Sequence, residues 1–491
     1  MTTILAIDQS TSATKVILFD TQGRVVARAS REHRQIYPQP GWVEHDAEEI
    51  WRNVLAVIRE IAANPAQISD LLCLSITNQR ETFVVFDRAT GRPLHNAIVW
   101  QCRRGDPVCQ ELRNAGQEEQ IQNKTGLKLD TYFSGSKLKW LVENKPELAA
   151  KLQSGQAVVG TIDAYLIHRL TGGKVFASDH TNASRTLLFD VGRLRWDEQL
   201  CELFRVPVRA LPEVRESAAD FGETNAEGAL PRLIPIKGVM GDSQASLFSQ
   251  RCYQPGMAKA TLGTGSSVLL NIGETFRVSR KGCVSALAWV WQGKPTYAFE
   301  GLINFSAATL EWLKNQLGLI QTTAEVESLA SSVPDNGGVY LVPAFAGLSA
   351  PYWAADARAA IVGMTAFTKR EHVVRAAVES IGYQLQDVLE MMRGEAGLAL
   401  RELRADGGPT RNRFLMQFTA DMTGVELQAS EVAESSAWGA AMCGLLGTGQ
   451  RKSLADLGAL PRESQSFHPQ MKTELVQQYY AGWKKAVSRV L

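Results

Sequence analysis

Short apolar runs separated by polar turns dominate this chain, and one such arrangement occurs twice. Ile4-Leu5-Ala6-Ile7 leads into Asp8-Gln9-Ser10-Thr11-Ser12-Ala13-Thr14-Lys15, and Val16-Ile17-Leu18-Phe19 leaves it. Much later, Ala258 to Leu262 enters Gly263-Thr264-Gly265-Ser266-Ser267, and Val268-Leu269-Leu270 leaves. Brief apolar runs bounded by turn residues predict strands, so each unit reads as a hairpin tipped with hydroxyl and glycine residues. The pair predicts a duplicated architecture that grips one polyphosphate from both sides.

The pattern between the hairpins alternates strand and helix. Val25 to Arg28 reads as a strand, and Asp46 caps a helix whose Ile50, Val54, Val57, Ile58 and Ile61 recur at helical spacing. Leu72 to Ile76 is a buried strand that stops at Thr77-Asn78-Gln79-Arg80-Glu81-Thr82, and Phe83 to Phe86 resumes as another. A polar cluster at strand ends is where an α/β sheet builds its site. In the second half, Ala298 to Gly301 leads to a helix through Trp312, Val339 to Pro343 is a strand, and His372 to Arg393 is a long helix. Leu403 to Gly408 is a strand meeting a glycine pair, with a helix from Asn412. The expected class is α/β, with mixed sheets opened by antiparallel hairpins.

Length and charge narrow the picture. A chain of 491 residues exceeds one ordinary core, so two domains are expected, 1–248 and 249–491, joined by a short crossover near Ser249. Lys plus Arg number 52 against 51 Asp plus Glu, which leaves no global field to draw nucleic acid or an anionic membrane. The expected partner is a small molecule. Seven scattered cysteines without metal-ligand spacing read as reduced thiols. A start without a basic region and apolar runs too short for a span predict a cytoplasmic protein with no membrane insertion.

Several residues are candidates for chemistry, each beside a plainer reading. Asp8 at a strand end suits Mg2+ held through water, and Lys15 suits charge neutralisation in phosphoryl transfer; a polar turn with a capping Asp fits the same residues. Gly407-Gly408-Pro409-Thr410-Arg411-Asn412 lets an adenosine moiety approach the backbone, or is a tight turn. Gly439-Ala440-Ala441 offers a small helix face toward the base, or simple helix packing. Asp242, in Gly241-Asp242-Ser243-Gln244, presents a carboxylate that can take a proton from a hydroxyl, yet local pattern favours a helix cap. Arg80 and Glu81 suit the adjacent hydroxyls of a polyol, or form a surface ion pair. Trp100 and Tyr132 offer aromatic faces to a carbon skeleton, or belong to the core.

Taken together these segments resemble the FGGY carbohydrate kinases, and most closely their glycerol-phosphorylating members. One family signature fits Tyr132 to Asn144 and another Ala359 to Glu379. Tyr37 to Asp46, Thr77 to Thr82, Asn96 to Arg104 and Thr181 to Thr186 extend the likeness over nearly the whole chain. The resemblance implies two actin-like, ribonuclease-H-like domains, of the sugar kinase, heat-shock chaperone and actin type, closing on an interdomain cleft. It implies ATP and Mg2+ as cofactors and Asp242 as general base, which reverses the local preference for a cap. It further implies Arg80, Glu81, Trp100 and Tyr132 as the polyol pocket and Asp8 as the magnesium-associated carboxylate, bound through water. Thr11 and Ser12 become phosphate contacts, joined by Lys15, and Thr264, Gly265, Gly408 and Asn412 further nucleotide contacts.

Some positions depart from the family pattern. Ser243 stands where a Gln is usual, and Ser267 where an aromatic residue flanks the acceptor; both widen the pocket. Ser10 replaces a glycine and Lys15 an arginine, and transfer is expected to survive both. The loop Asn225 to Arg232 lacks the glycine-rich fructose-bisphosphate motif and has no histidine for phosphorylation, so neither control is expected. The expected activity is phosphorylation of a primary hydroxyl of glycerol, with a tetritol, pentitol or ketose as the alternative acceptor. A non-catalytic nucleotide-gated binding protein is the alternative from another class, and the retained polyol residues argue against it. Homodimeric and homotetrameric assembly both stay open.

Overall fold

The structure is a computed structural model and describes residues 1–430 and 434–491. The first hairpin forms as its pattern predicts, with β1 (Thr3–Gln9) and β2 (Ala13–Asp20) antiparallel and Asp8 facing Lys15 in register. β3 (Val25–Glu32) continues the antiparallel ribbon, and α1 (Ala47–Ala62) packs across it. Asp46 caps α1 by accepting from Glu48 N at 2.9 Å, and the helix buries Ile50, Trp51, Val54, Val57, Ile58 and Ile61. Each such aliphatic side chain contributes about 1.5–3 kcal/mol on leaving water, which makes this amphipathic face the main reason the helix forms.

β4 (Leu71–Asn78) pairs parallel with β1, whereas β5 (Phe83–Asp87) leaves that sheet and joins a separate four-stranded one. The Thr77–Thr82 segment therefore bridges two sheets. β6 (Glu223–Thr224) and β7 (Ile234–Gly241) complete a six-stranded sheet of order β6-β7-β4-β1-β2-β3. α2 (Asp242–Ser249) follows β7 directly.

The second half repeats the scheme. β8 (Met257–Leu262) and β9 (Ser266–Gly273) form the second hairpin, extended by β10 (Val284–Trp291) and β11 (Lys294–Ile303). The long helix α3 (Arg370–Ala396) precedes β12 (Glu402–Asp406), α4 (Arg413–Thr423) and β13 (Leu427–Ser430). After α5 (Ser435–Gly447), β14 (Ser464–Phe467) closes a seven-stranded sheet of order β10-β11-β9-β8-β12-β13-β14. In both sheets an antiparallel ribbon of three strands is followed by two strands parallel to the first. This shared order is the duplication that the two hairpins announced.

α5 comes late in the chain yet packs on β7, β4 and β1 of the first sheet and on α2. Its small residues allow that approach, because a methyl on Gly439 would strike the Ala245 carbonyl and one on Gly444 would strike Ser75 Oγ. The Gly439-Ala440-Ala441 face is thus committed to helix packing and is not offered to a nucleotide base. Among the described residues all seven cysteines are buried free thiols, and no helix is long and apolar enough to cross a membrane.

Candidate active site

The loop after β4 carries Arg80 and Glu81 into the interior, where they are 4% and 1% exposed. Glu81 adopts φ 62°, a strained conformation for a non-glycine residue that persists only when its surroundings hold it. Arg185 does so: its Nε lies 2.6 Å from Glu81 Oε1. Glu300, on β11 of the second sheet, completes the set, with Oε1 2.8 Å from Arg80 Nη2 and Oε2 2.7 Å from Arg185 Nη1. Burial pushes the Glu300 carboxyl up, but Arg185 and Arg80 outweigh it and hold it at about 2. The Arg80 and Glu81 pair is therefore part of a buried charge network joining both halves, and the surface ion pair is excluded.

Asp242 sits at the edge of this network with its side chain 38% exposed. Its Oδ1 accepts from Ser243 N at 2.6 Å and lies 3.2 Å from Arg80 Nε. The local expectation of a helix cap is corrected, since Gly241 holds the cap position and Asp242 is the first residue of α2. A side chain on Gly241 would crowd Arg80 Cγ, so the glycine lets the guanidinium lie under the carboxylate. Gln244 adds its Oε1 as an acceptor for Arg80 Nη1 at 3.2 Å.

The aromatic candidates meet beside Arg80 and Glu81. Trp100 and Tyr132 have ring centroids 5.1 Å apart, and the Tyr132 hydroxyl is driven well above its ordinary pKa, chiefly by burial with the Glu81 charge adding. Trp100 Nε1 donates to Thr11 Oγ1 at 3.0 Å. One hydrogen bond thus ties the Trp100–Tyr132 aromatic pair to the tip of the first hairpin.

The hairpin tips show how backbone groups come to face a ligand. Ser12 and Thr264 are exposed, while Gly265 lies so close to the Ile303 and Asn304 carbonyls that a side chain there would collide. Gly407 has φ 101° and a methyl on it would strike the Leu262 carbonyl, so the Gly407-Gly408 turn is pressed against the second hairpin. Asn412 caps α4, its Oδ1 accepting from Leu415 N at 2.9 Å. Lys15 is engaged by Glu434 at 3.4 Å, an ion pair between the first hairpin and the start of α5. Ser267 faces Thr261 across the second hairpin, and Ser243 follows Asp242 in the first turn of α2.

Asp8 is 7% exposed, and among the described residues no hydrogen bond or ion pair reaches its carboxylate. Burial, opposed by Lys15 and reinforced by Asp242 and Glu434, pushes it up to about 7. A buried carboxylate without a donor, close to the phosphate hairpin and to a second acid, fits an oxygen-ligated divalent cation such as Mg2+. Among the described residues no cluster of three or more His, Cys, Asp or Glu side chains forms a protein cage, so the fit is to a largely hydrated ion. Glu300, Arg185 and Gln244 were not singled out from sequence. Arg185 falls within the Thr181 to Thr186 likeness, and Glu300 within a strand whose local pattern signals structure alone.

Comparison with known proteins shows the family. Residues 3–249 match the N-terminal domain of the FGGY family of carbohydrate kinases and residues 258–448 its C-terminal domain. The chain is 46% identical to the glycerol kinase of Desulfitobacterium hafniense over 489 residues, covering 99% of each chain. It is 47% identical to glycerol kinase 1 of Thermotoga maritima over 492 residues, again covering 99% of each. A crystal structure of Plasmodium falciparum glycerol kinase with ADP superposes with a TM-score of 0.95 at 38% identity, covering 100% of this chain and 98% of that one. The ligand-bound xylulose kinase of Lactobacillus acidophilus shares the fold, with a TM-score of 0.88 at 21% identity over 99% of both chains. The two domain matches and the full-length relatives place this chain in the FGGY family of carbohydrate kinases.

Proposed function

We propose that the protein transfers the γ-phosphoryl group of ATP to a primary hydroxyl of glycerol, giving glycerol 3-phosphate and ADP. The observation that carries the reading is the Asp242 carboxylate, partly exposed and held 3.2 Å from the buried Arg80 guanidinium. Similarity of 46–47% to glycerol kinases across the full chain supports the choice of acceptor.

Arg80 and Glu81 offer a fixed donor and acceptor to neighbouring hydroxyls, while Trp100 and Tyr132 cover the carbon skeleton. Asp242 takes the hydroxyl proton as the acceptor oxygen attacks the γ-phosphorus and the bond to ADP breaks. The backbone of the Thr11-Ser12 and Thr264-Gly265 turns cradles the phosphates, with Lys15 beside the first and Gly408 and Asn412 toward the nucleoside. Asp8 would hold Mg2+ through water, and the ion would neutralise phosphate charge. Closure of the halves around Glu300, which belongs to the second sheet but pairs with two arginines of the first half, would exclude water.

Coupled detection of ADP with ATP, Mg2+ and glycerol tests the reading. Glycerol-dependent ADP release with stoichiometric glycerol 3-phosphate is expected. No release with glycerol, longer polyols or ketoses would defeat the kinase assignment.

A further inference from the structure

The helix α2 ends in a way its sequence does not favour. Gln250 is its C-cap, and Arg251, the next residue, adopts φ 56°, at a position where helices ordinarily place glycine or asparagine. Such a conformation persists in a bulky residue only where the surroundings hold it. Here neutral groups do so: Arg251 Nη1 donates to the Gly458 carbonyl at 3.0 Å and Nη2 to the Pro461 carbonyl at 2.8 Å. The guanidinium is fixed, but its charge is not neutralised.

Two further arginines share its surroundings. A cavity of about 550 Å3 is lined by Arg251, Arg404 and Arg462, with Tyr253 beside them and Met257 and Leu454 on an apolar side. Arg462 donates to Gln428 Oε1 and Gln250 Oε1, both at 2.8 Å, so it too is held by neutral oxygens. Arg404 on β12 pairs with Glu402 at 2.7 Å. Among the described residues that is the only ion pair the three arginines form, and no acidic side chain lines the cavity. Three positive charges therefore meet one negative. Burial, with the Arg404 charge adding, pulls the Arg462 guanidinium down to about 10, still charged at neutral pH, and burial pulls Arg251 down as well. A concave wall of one sign concentrates counter-ions, and planar guanidinium forks match phosphate oxygens. The cavity shares no residue with the Arg80 network, and Arg251 lies at the opposite end of α2 from Asp242.

We infer that this cavity is a second anion site, separate from the cleft, which binds the phosphate group of a small phosphorylated molecule between Arg251, Arg404 and Arg462. The organic part of that molecule lies against Met257 and Leu454. A volume within the roughly 300–1,000 Å3 range of small-molecule sites leaves room for more than a bare ion. The inference does not depend on which acceptor the cleft takes.

Calorimetric titration of inorganic phosphate, phenyl phosphate, phenol and citrate into the full chain, with and without ADP, tests this. Phenyl phosphate is expected to bind once per chain whether or not ADP is present, more tightly than inorganic phosphate, and phenol not at all. Arg251→Gly and Arg462→Gln should each weaken it by about tenfold or more, the worth of one charge-assisted hydrogen bond. Glycine suits φ 56°, so Arg251→Gly keeps the turn and decides the question even if Arg462→Gln does not fold. Absence of phosphate binding, binding that ADP displaces, or binding that Arg251→Gly leaves unchanged overturns the inference. Citrate binding more tightly than both phosphates overturns the phosphate class. Each of these results leaves the kinase reading intact, because that reading is judged by glycerol-dependent ADP release.

Discussion

Arg80 Nε lies 3.2 Å from Asp242 Oδ1, while Nη2 of the same guanidinium lies 2.8 Å from Glu300. One buried cation therefore orients the proposed base of the first half and anchors a carboxylate of the second. Removing the base without changing its shape separates these roles. Asp242→Asn should lower kcat by about 10²–10⁴-fold, because positioned general bases contribute that much. ATP affinity by calorimetry should stay near that of the parent, and unchanged turnover would exclude Asp242 as the base.

Glu300 balances two guanidiniums at once, so neutralising it leaves Arg80 and Arg185 only Glu81 and the partly exposed Asp242 as counter-charges. Glu300→Gln should destabilise the protein by about 3–5 kcal/mol, the usual consequence of breaking a buried pair from one side. Denaturant unfolding followed by fluorescence measures this. A loss near zero would mean that water already screens the network.

The Asp8 carboxyl is raised from 3.8 to about 7, so between those values the folded protein holds a proton that the unfolded chain has lost. Stability without Mg2+ should accordingly fall as pH rises through that window and level off above it. Asp8→Asn cannot ionise, so it should flatten the slope and be more resistant to denaturant than the parent at about pH 8. The same variant should transfer phosphate poorly, since the cation loses its carboxylate. A parent and variant with identical pH profiles would remove Asp8 from this role.

Trp100 Nε1 donates to Thr11 Oγ1 and joins the proposed acceptor pocket to the proposed phosphate hairpin. Trp100→Phe and Thr11→Val each break the bond, and the double variant breaks nothing further there. Their effects on kcat/KM should therefore be less than additive by about 0.5–1.5 kcal/mol, the net worth of one hydrogen bond. Strict additivity would show that the bond does not couple the two sites.

Local pattern was sufficient for the elements and insufficient for the charge network. The β1-β2 and β8-β9 hairpins, the cap at Asp46 and the break at Gly407-Gly408 all follow from residues adjacent in the chain. The role of Arg80 does not, because a lone Arg-Glu dipeptide reads as surface. Burial and the distant partners Arg185 and Glu300 give it a different meaning. Asp242 shows the same limit: an Asp opening a helix is ordinarily a cap, and only Gly241 in the cap position with Arg80 beneath frees its carboxylate.

The sequence alone determined a duplicated α/β chain with two phosphate-type hairpins, since strand alternation, helix periodicity and turn chemistry act over a few residues. Tertiary structure decided which charged side chains meet. It drew Arg80, Glu81, Arg185, Asp242 and Glu300 from separated segments into one charge network. It also assigned the small residues of α5 to packing against α2. Those outcomes depend on distances through space, which no local spacing along the chain encodes.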